Sequence, residues 1–238
     1  GLLTYNMYST GRDEMFEDSL KVLREEFGDV LIYTSGSTDG TGQRVEELGG
    51  KWNRTIDAKM ATRYSAGYKE LGDLLYATGA DIIFVTADDI IYKPGIAEAM
   101  VNWWTNAPRS IAITSWILEP SYPWNALLDK VEYAGIKGYS RATVPGCSWS
   151  FHRKDWNIIK KRPLFEDVGI CTDFVKEKRP VVQVDWGDHV GEKVSAWGNE
   201  SWKVAIPFNP EIEHVHRWEH IGMILSKDIY VSFVVLPL

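Results

Sequence analysis

The sequence predicts an α/β protein: a mostly parallel central sheet with helices on both faces, followed by an irregular C-terminal half. Three observations point there. Strand-sized apolar runs alternate with stretches of helical spacing over residues 1–118. Polar, glycine-bearing turns follow the apolar runs, as at the strand ends of α/β sheets. The chain of 238 residues is also 45% hydrophobic and 25% charged, which suits a soluble globular protein with a substantial core.

GLLTYN, Gly1 to Asn6, reads as a short buried strand. Asp13 to Phe27 has helical spacing, with Met15, Phe16, Leu20, Leu23 and Phe27 on one face and Gly28 as the stop. Val30 to Tyr33 is a second strand, running into the turn SGSTDGT, Ser35 to Thr41. That turn has two readings. Its glycines supply positive φ while its hydroxyls and Asp39 bond nearby backbone or cap the next helix. Alternatively, it borders a ligand at the carboxyl edge of the sheet. Ala58 to Ala77 is a long helix carrying Met60, Ala61, Tyr64, Leu71, Leu74 and Leu75. DIIFVTADD, Asp81 to Asp89, is a third strand that ends in acid, and Pro94 opens a helix to about Trp104. IAITSWI, Ile111 to Ile117, is a fourth strand.

After about Glu119 the alternation breaks. Pro120, Pro123, Pro145 and Pro163 punctuate loops, a strand VPGCSWSF and a basic segment HRKDWNIIKKRP. No repeat or low-complexity linker divides the chain, so one domain spanning 1–238 is expected. The net charge, 26 − 33 = −7, argues against a generic electrostatic grip on nucleic acid or anionic lipid. Two cysteines, Cys147 and Cys171, are too few for a disulfide scaffold. With no signal peptide and no apolar run of membrane-spanning length, a cytoplasmic protein is expected. The eleven Trp serve the core first, and aromatics also make platforms for sugars and bases. Trp103, Trp104, Trp116, Trp124 and Trp149 read mostly as core; the proline-rich stretch WILEPSYPWN, Trp116 to Asn125, is the candidate stacking surface.

TADDIIYKPG, Thr86 to Gly95, places Asp88 and Asp89 side by side just past a strand. Adjacent carboxylates repel, so their ionised forms want a cation or donors nearby. Mg²⁺ and Mn²⁺ take one or two carboxylates and complete their shell with water and phosphate oxygens. The plainer reading is a solvated loop that caps the following helix.

Taken in order, LLTYN, the turn GSTDGT, a helix bearing Arg63 and the acid pair with Pro94-Gly95 resemble the family-2 glycosyltransferases, nucleotide-sugar enzymes of the GT-A fold. The resemblance covers about the first 100 residues. Thr34 stands where that family has an acidic residue, and Thr86 where a three-residue acidic motif has its first acid. The resemblance implies that Thr4 and Tyr5 line the nucleoside pocket and that Thr34, Ser35 and the turn sit near the base. Asp39 either helps there or caps a helix. Arg63 would approach the diphosphate, for which its forked guanidinium is suited. Asp88 would contact the ribose or donor sugar, and Asp89 would hold the Mn²⁺ or Mg²⁺ that offsets charge on the leaving group.

The resemblance also implies an inverting transfer of a hexosyl or N-acetylhexosaminyl group from a UDP-linked donor. Residues 1–118 would bind the nucleotide sugar and residues 119–238 the acceptor. Such a transfer needs a base for the acceptor hydroxyl. DWGDHVGEKVSAWG offers Asp188, preceding a plausible helix and able to cap it, with Asp185 as the alternative. EHVHRWEH supplies a further candidate metal ligand, His216 or His214; an exposed tail is the other reading. Arg153, Lys154, Lys160, Lys161 and Arg162 form either a solvated basic face or a patch for an anionic acceptor or donor phosphates. The acceptor is left open between a saccharide and a hydroxymethylated DNA base. Two rivals stand beside this reading: a nucleotidyltransferase, expected to carry a glycine-rich basic loop after its first strand where this chain has MYSTGRDE, and a non-catalytic nucleotide- or sugar-binding module.

Overall fold

The computed structural model describes residues 1–55, 60–117, 129–141, 143–162 and 167–189. Its strands and helices follow in the order β1 (Leu2–Thr4), α1 (Asp13–Phe27), β2 (Ile32–Ser35), α2 (Thr41–Glu47), β3 (Lys51–Asn53), α3 (Met60–Ala77), β4 (Ile82–Ala87), β5 (Ile90–Tyr92), α4 (Ile96–Asn106) and β6 (Ile113–Ser115). Then come β7 (Asp129–Tyr133), β8 (Ile136–Arg141), β9 (Ser148–His152), α5 (Trp156–Ile159), α6 (Asp167–Lys176), β10 (Val181–Val184) and β11 (Gly187–His189).

Nine strands form one sheet in the order β3-β2-β1-β4-β9-β6-β10-β8-β7. Only β9 and β8 run against the other seven. The chain leaves β1 towards β2 and β3 on one side, then returns to place β4 on the other. That reversal opens a crevice at the carboxyl ends of β1 and β4, where doubly wound sheets bind ligands.

Successive strand residues face opposite ways, and the two sheet faces read this directly. Leu2 packs with Phe16, Leu20 and Leu23 of α1 and with Met100 and Trp103 of α4. Leu3 turns to the other face, among Tyr68 and Leu71 of α3, Trp156 of α5, and Ile170 and Phe174 of α6. Helix α1 has the bounds its spacing predicts, with Asp13 and Glu14 favourably placed at its positive end and Gly28 closing it at φ 74°. Two close packings need glycine. A Cβ at Gly72 of α3 would overlap the Trp156 ring, so Gly72→Ala is expected to destabilise by about 1–3 kcal/mol, read as a lowered melting midpoint. Gly42 meets the Trp52 ring in the same way.

Five of the described tryptophans belong to the core. Trp103, Trp116, Trp149 and Trp156 are fully buried, and the indoles of Trp104 and Trp116 both donate to Ser150. Trp116 is therefore no stacking surface; residues 118–128, which include Trp124, lie outside the described residues. Neither Cys147 nor Cys171 is in a disulfide. Among the described residues no helix is long and apolar enough to cross a membrane.

Candidate active site

The crevice is built by three strand ends. Strand β1 ends in Thr4, and the chain turns at Asn6 with φ 46°. Strand β2 ends in Ser35 and leads through Gly36, φ 66°, and Gly40, φ 93°, into α2. Strand β4 delivers Asp88 and Asp89 immediately after Ala87.

The loops after β1 and β2 are fastened to each other. The Asn6 and Met7 amides donate to the Ser37 and Thr41 hydroxyls at 3.1 and 2.9 Å, and the Thr38 amide donates to Asn6 Oδ1 at 2.9 Å. Asp39 accepts from the Ser9 amide and from both the amide and hydroxyl of Thr41. Burial pushes its carboxyl up, but these bonds together hold it below the usual carboxylate value. Thr34 is fully buried with its hydroxyl 2.7 Å from that of Ser37. The turn chemistry expected of this stretch is thus present, and it shapes the wall of the crevice.

Asp88 is 1% exposed and Asp89 is 5% exposed. Asp88 accepts from the Thr4 hydroxyl at 2.5 Å and from Arg12 Nη1 at 2.8 Å, so both its oxygens are engaged. Arg12 Nη1 also lies 3.5 Å from Asp89 Oδ2, while Nη2 donates to the Tyr5 carbonyl and Nε to Thr10. Ser19 of α1 donates to the Ile90 carbonyl at 2.6 Å, tying the helix to the backbone beyond the acids. Thr86 points inward to the Tyr92 hydroxyl, which also meets Ser148, so it supports the floor. Sequence reasoning passed over Arg12. Its signal was a lone arginine in the first loop, and its partners lie 76 and 77 residues away.

Burial, the largest influence, pushes the Asp88 carboxyl up to about 6; Arg12 and Thr4 oppose this and Asp89 reinforces it. A folded-state pKa above the unfolded value gives stability that is complete below about 3.8 and is lost as pH rises through about 6. In metal-free protein, Asp88→Asn is expected to flatten the fall in melting midpoint between pH 4 and pH 7. Equal slopes in wild type and variant would contradict this.

Tyr5 is half-buried at the rim, and Ser35 is buried beside Gly36. Arg63 lies in α3, whose first turns have no described side chains. Asp188 is not at a helix start as expected: it is the middle residue of β11, paired with Ile91 of β5. That antiparallel pairing brings its backbone opposite the strand that follows Asp89. His214 and His216 lie outside the described residues. The basic segment is largely committed to internal contacts: Arg153 donates to the Tyr76 carbonyl and stacks over its ring, Arg162 pairs with Asp173, and Lys160 lies 3.8 Å from Asp73.

As a cation site the crevice offers hard carboxylate oxygens of the kind Mg²⁺ and Mn²⁺ prefer. Asp89 fits that role better than Asp88, whose oxygens already serve Thr4 and Arg12. Among the described residues no group of three or more His, Cys, Asp or Glu gathers to hold a metal unaided. A cation here would draw the rest of its shell from water and a bound phosphate.

No family profile matches the chain, and no curated protein does. Solved structures do. One assigned as a glucose-1-phosphate thymidylyltransferase from Bacillus anthracis, in complex with a sucrose, is 12% identical, with a TM-score of 0.53 over 88% of this chain and 97% of that one. Glucosyl-3-phosphoglycerate synthase from Mycobacterium tuberculosis, in complex with Mg²⁺ and UDP, is 12% identical, with a TM-score of 0.50 over 100% of this chain and 79% of that one. At such identities the likeness is one of fold: the chain has the Rossmann-like α/β architecture found in GT-A glycosyltransferases and sugar nucleotidyltransferases.

Proposed function

We propose that this protein is a nucleotide-sugar transferase, and specifically an inverting, divalent-metal-dependent glycosyltransferase that moves a hexosyl or N-acetylhexosaminyl group from a UDP-linked donor to an acceptor hydroxyl. The observation that carries the reading is the convergence of Thr4, Arg12, Asp88 and Asp89 at the carboxyl ends of the adjacent strands β1 and β4, beside the turn after β2. Thr4, Tyr5, Thr34 and Ser35 shape the nucleoside pocket, Asp39 holds the turn in place, and Asp88 fixes Thr4 and Arg12. Arg63 meets the diphosphate. Asp89 would hold Mn²⁺ or Mg²⁺, with His216 as a further ligand, and a cation there would supply positive charge against the departing nucleoside diphosphate. Asp188 takes the proton of the acceptor hydroxyl as its oxygen attacks the anomeric carbon from the face opposite the leaving group. Its support is the β5–β11 pairing, which starts directly after Asp89. Residues 1–118 serve the donor and residues 119–238 the acceptor, either a saccharide or a hydroxymethylated DNA base.

The test is thermal-shift binding of UDP, GDP, CDP and dTDP and their sugars, with and without Mn²⁺, followed by sugar release from the donor that binds. A Mn²⁺-dependent shift with the uridine pair and sugar release are expected. No shift with any nucleotide, in folded protein, would overturn the reading; a shift without release would leave a binding module. One observation favours a second reading: Arg12 comes from the loop after β1, where a nucleotidyltransferase carries its basic group. Pyrophosphate released from UTP or dTTP with glucose 1-phosphate would decide for it.

A further inference from the structure

Away from the crevice, the other end of the sheet holds four buried polar side chains with unpartnered atoms. Among the described residues, both amide atoms of Gln183, the Ser115 hydroxyl, Nε and Nη1 of Arg141, and the Thr143 hydroxyl have no hydrogen-bond partner. Exposure is 0% for Gln183 and Ser115, 2% for Thr143 and 4% for Arg141. Folded proteins leave few such groups, and so dense a set calls for something to bond them.

The strand register gathers three of them. Gln183 of β10 is the direct partner of Ser115 on β6 and of Tyr139 on β8. Arg141 opposes Val181, two residues from Gln183 on the same face. Its guanidinium lies over the Tyr139 ring, with Cζ 5.8 Å from the centroid, so the side chain leans towards the row that holds Gln183. The intervening Val182 faces the opposite core, and Thr114 accepts from Trp103 there, so the polar set occupies the other face alone. Thr143 follows two residues after Arg141.

The chemistry is selective. An unpartnered buried guanidinium asks for anionic oxygens, which it binds in a fork. Gln183, with a free donor and a free acceptor, asks for a group that can both accept and donate, as a hydroxyl does. Burial, the main influence on it, lowers the pKa of the Arg141 guanidinium, as expected of a cation awaiting a counter-charge. Gln183 and Ser115 are level with Val85 of β4, and Arg141, facing the first residue of β10, is level with Ile83, so the set runs from mid-sheet towards the amino edge, away from the acid pair.

We propose that Arg141, Gln183 and Ser115 form a binding site for a hydroxylated anion, a sugar carrying a phosphate or a carboxylate, with Arg141 on the charged group and Gln183 and Ser115 on hydroxyls. The site stands on the sheet itself and does not depend on the transferase reading above.

The experiment is thermal shift and calorimetric titration of the full chain with glucose 6-phosphate, glucuronate, glucose and inorganic phosphate, without nucleotide or metal. Glucose 6-phosphate or glucuronate is expected to bind and glucose is not, and whichever anion binds names the charged group. Arg141→Met and Gln183→Leu should each weaken that binding at least tenfold while leaving the melting midpoint of the free protein unchanged or higher, because no internal bond is lost. Arg141→Lys should retain part of the affinity. Three results would overturn the site: no binding by either sugar anion, equal binding by inorganic phosphate and sugar phosphate, or Arg141→Met binding that matches wild type. The UDP and Mn²⁺ titration runs on the same proteins. Sugar-anion binding without nucleotide binding would sink the transferase reading and keep the site; the converse would sink the site alone.

Discussion

Replacing Arg12 with methionine is expected to cost about 3–5 kcal/mol of stability, the usual consequence of removing one member of a buried charge pair. For a chain of this length that is a fall in melting midpoint of about 10 °C. The reason is local. Arg12 is 6% exposed and faces two carboxylates that are themselves buried, at 2.8 and 3.5 Å. Without the guanidinium, Asp88 keeps the Thr4 hydroxyl but loses its counter-charge and faces the Asp89 carboxylate unscreened. The variant should therefore be least affected near pH 4, where Asp88 takes a proton, and most affected above pH 7. In a double-mutant cycle, Asp88→Asn should recover part of the loss, because the neutral amide needs no counter-charge. Additive effects of the two substitutions, or a midpoint within 2 °C of wild type at pH 8, would show that Arg12 is not the internal cation of this site.

How the sequence announces this arrangement differs by residue. Helix α1 runs from Asp13 to Phe27, the bounds its spacing predicts, because apolar periodicity and a glycine stop are local signals. The acid pair and the turn after β2 are local too, and the prediction that they meet at one sheet edge follows from the alternation of strands and helices. Arg12 could not be found that way. Its role depends on partners more than 75 residues distant, which no window along the chain contains. The β7–β8 hairpin was also missed, since DKVEY is exposed along most of its length and carries little apolar pattern. Ser115 sits within an apolar run that reads as a core strand, Gln183 in a run that carries no assigned element, and only the register of β10 beside β6 puts them together. Asp188 shows the opposite failure. An acid before a plausible helix reads as a cap, but pairing with Ile91 of β5, 188 − 91 = 97 positions earlier, holds it in a strand.

Asp89→Ala is expected to abolish Mn²⁺-dependent UDP binding and to reduce sugar transfer at least about 1000-fold, equal to about 4 kcal/mol of transition-state stabilisation. The fold should survive, because the tighter half of the clamp, from Arg12 to Asp88, is untouched. This is what separates the two neighbouring acids. Asp88 has both oxygens engaged inside the protein, so its loss should appear first as altered stability. Asp89 makes the longer contact with Arg12 and can turn an oxygen to a cation without breaking the clamp. The comparison therefore needs both variants in both assays. Asp88→Asn should shift the melting profile with pH and still respond to Mn²⁺ with UDP, whereas Asp89→Ala should melt like wild type and not respond. If Asp89→Ala keeps the metal-dependent response, Asp89 is not the metal ligand. If neither variant nor wild type responds to any nucleotide, the buried Arg12–Asp88–Asp89 cluster is a structural device, and the crevice above it serves other chemistry.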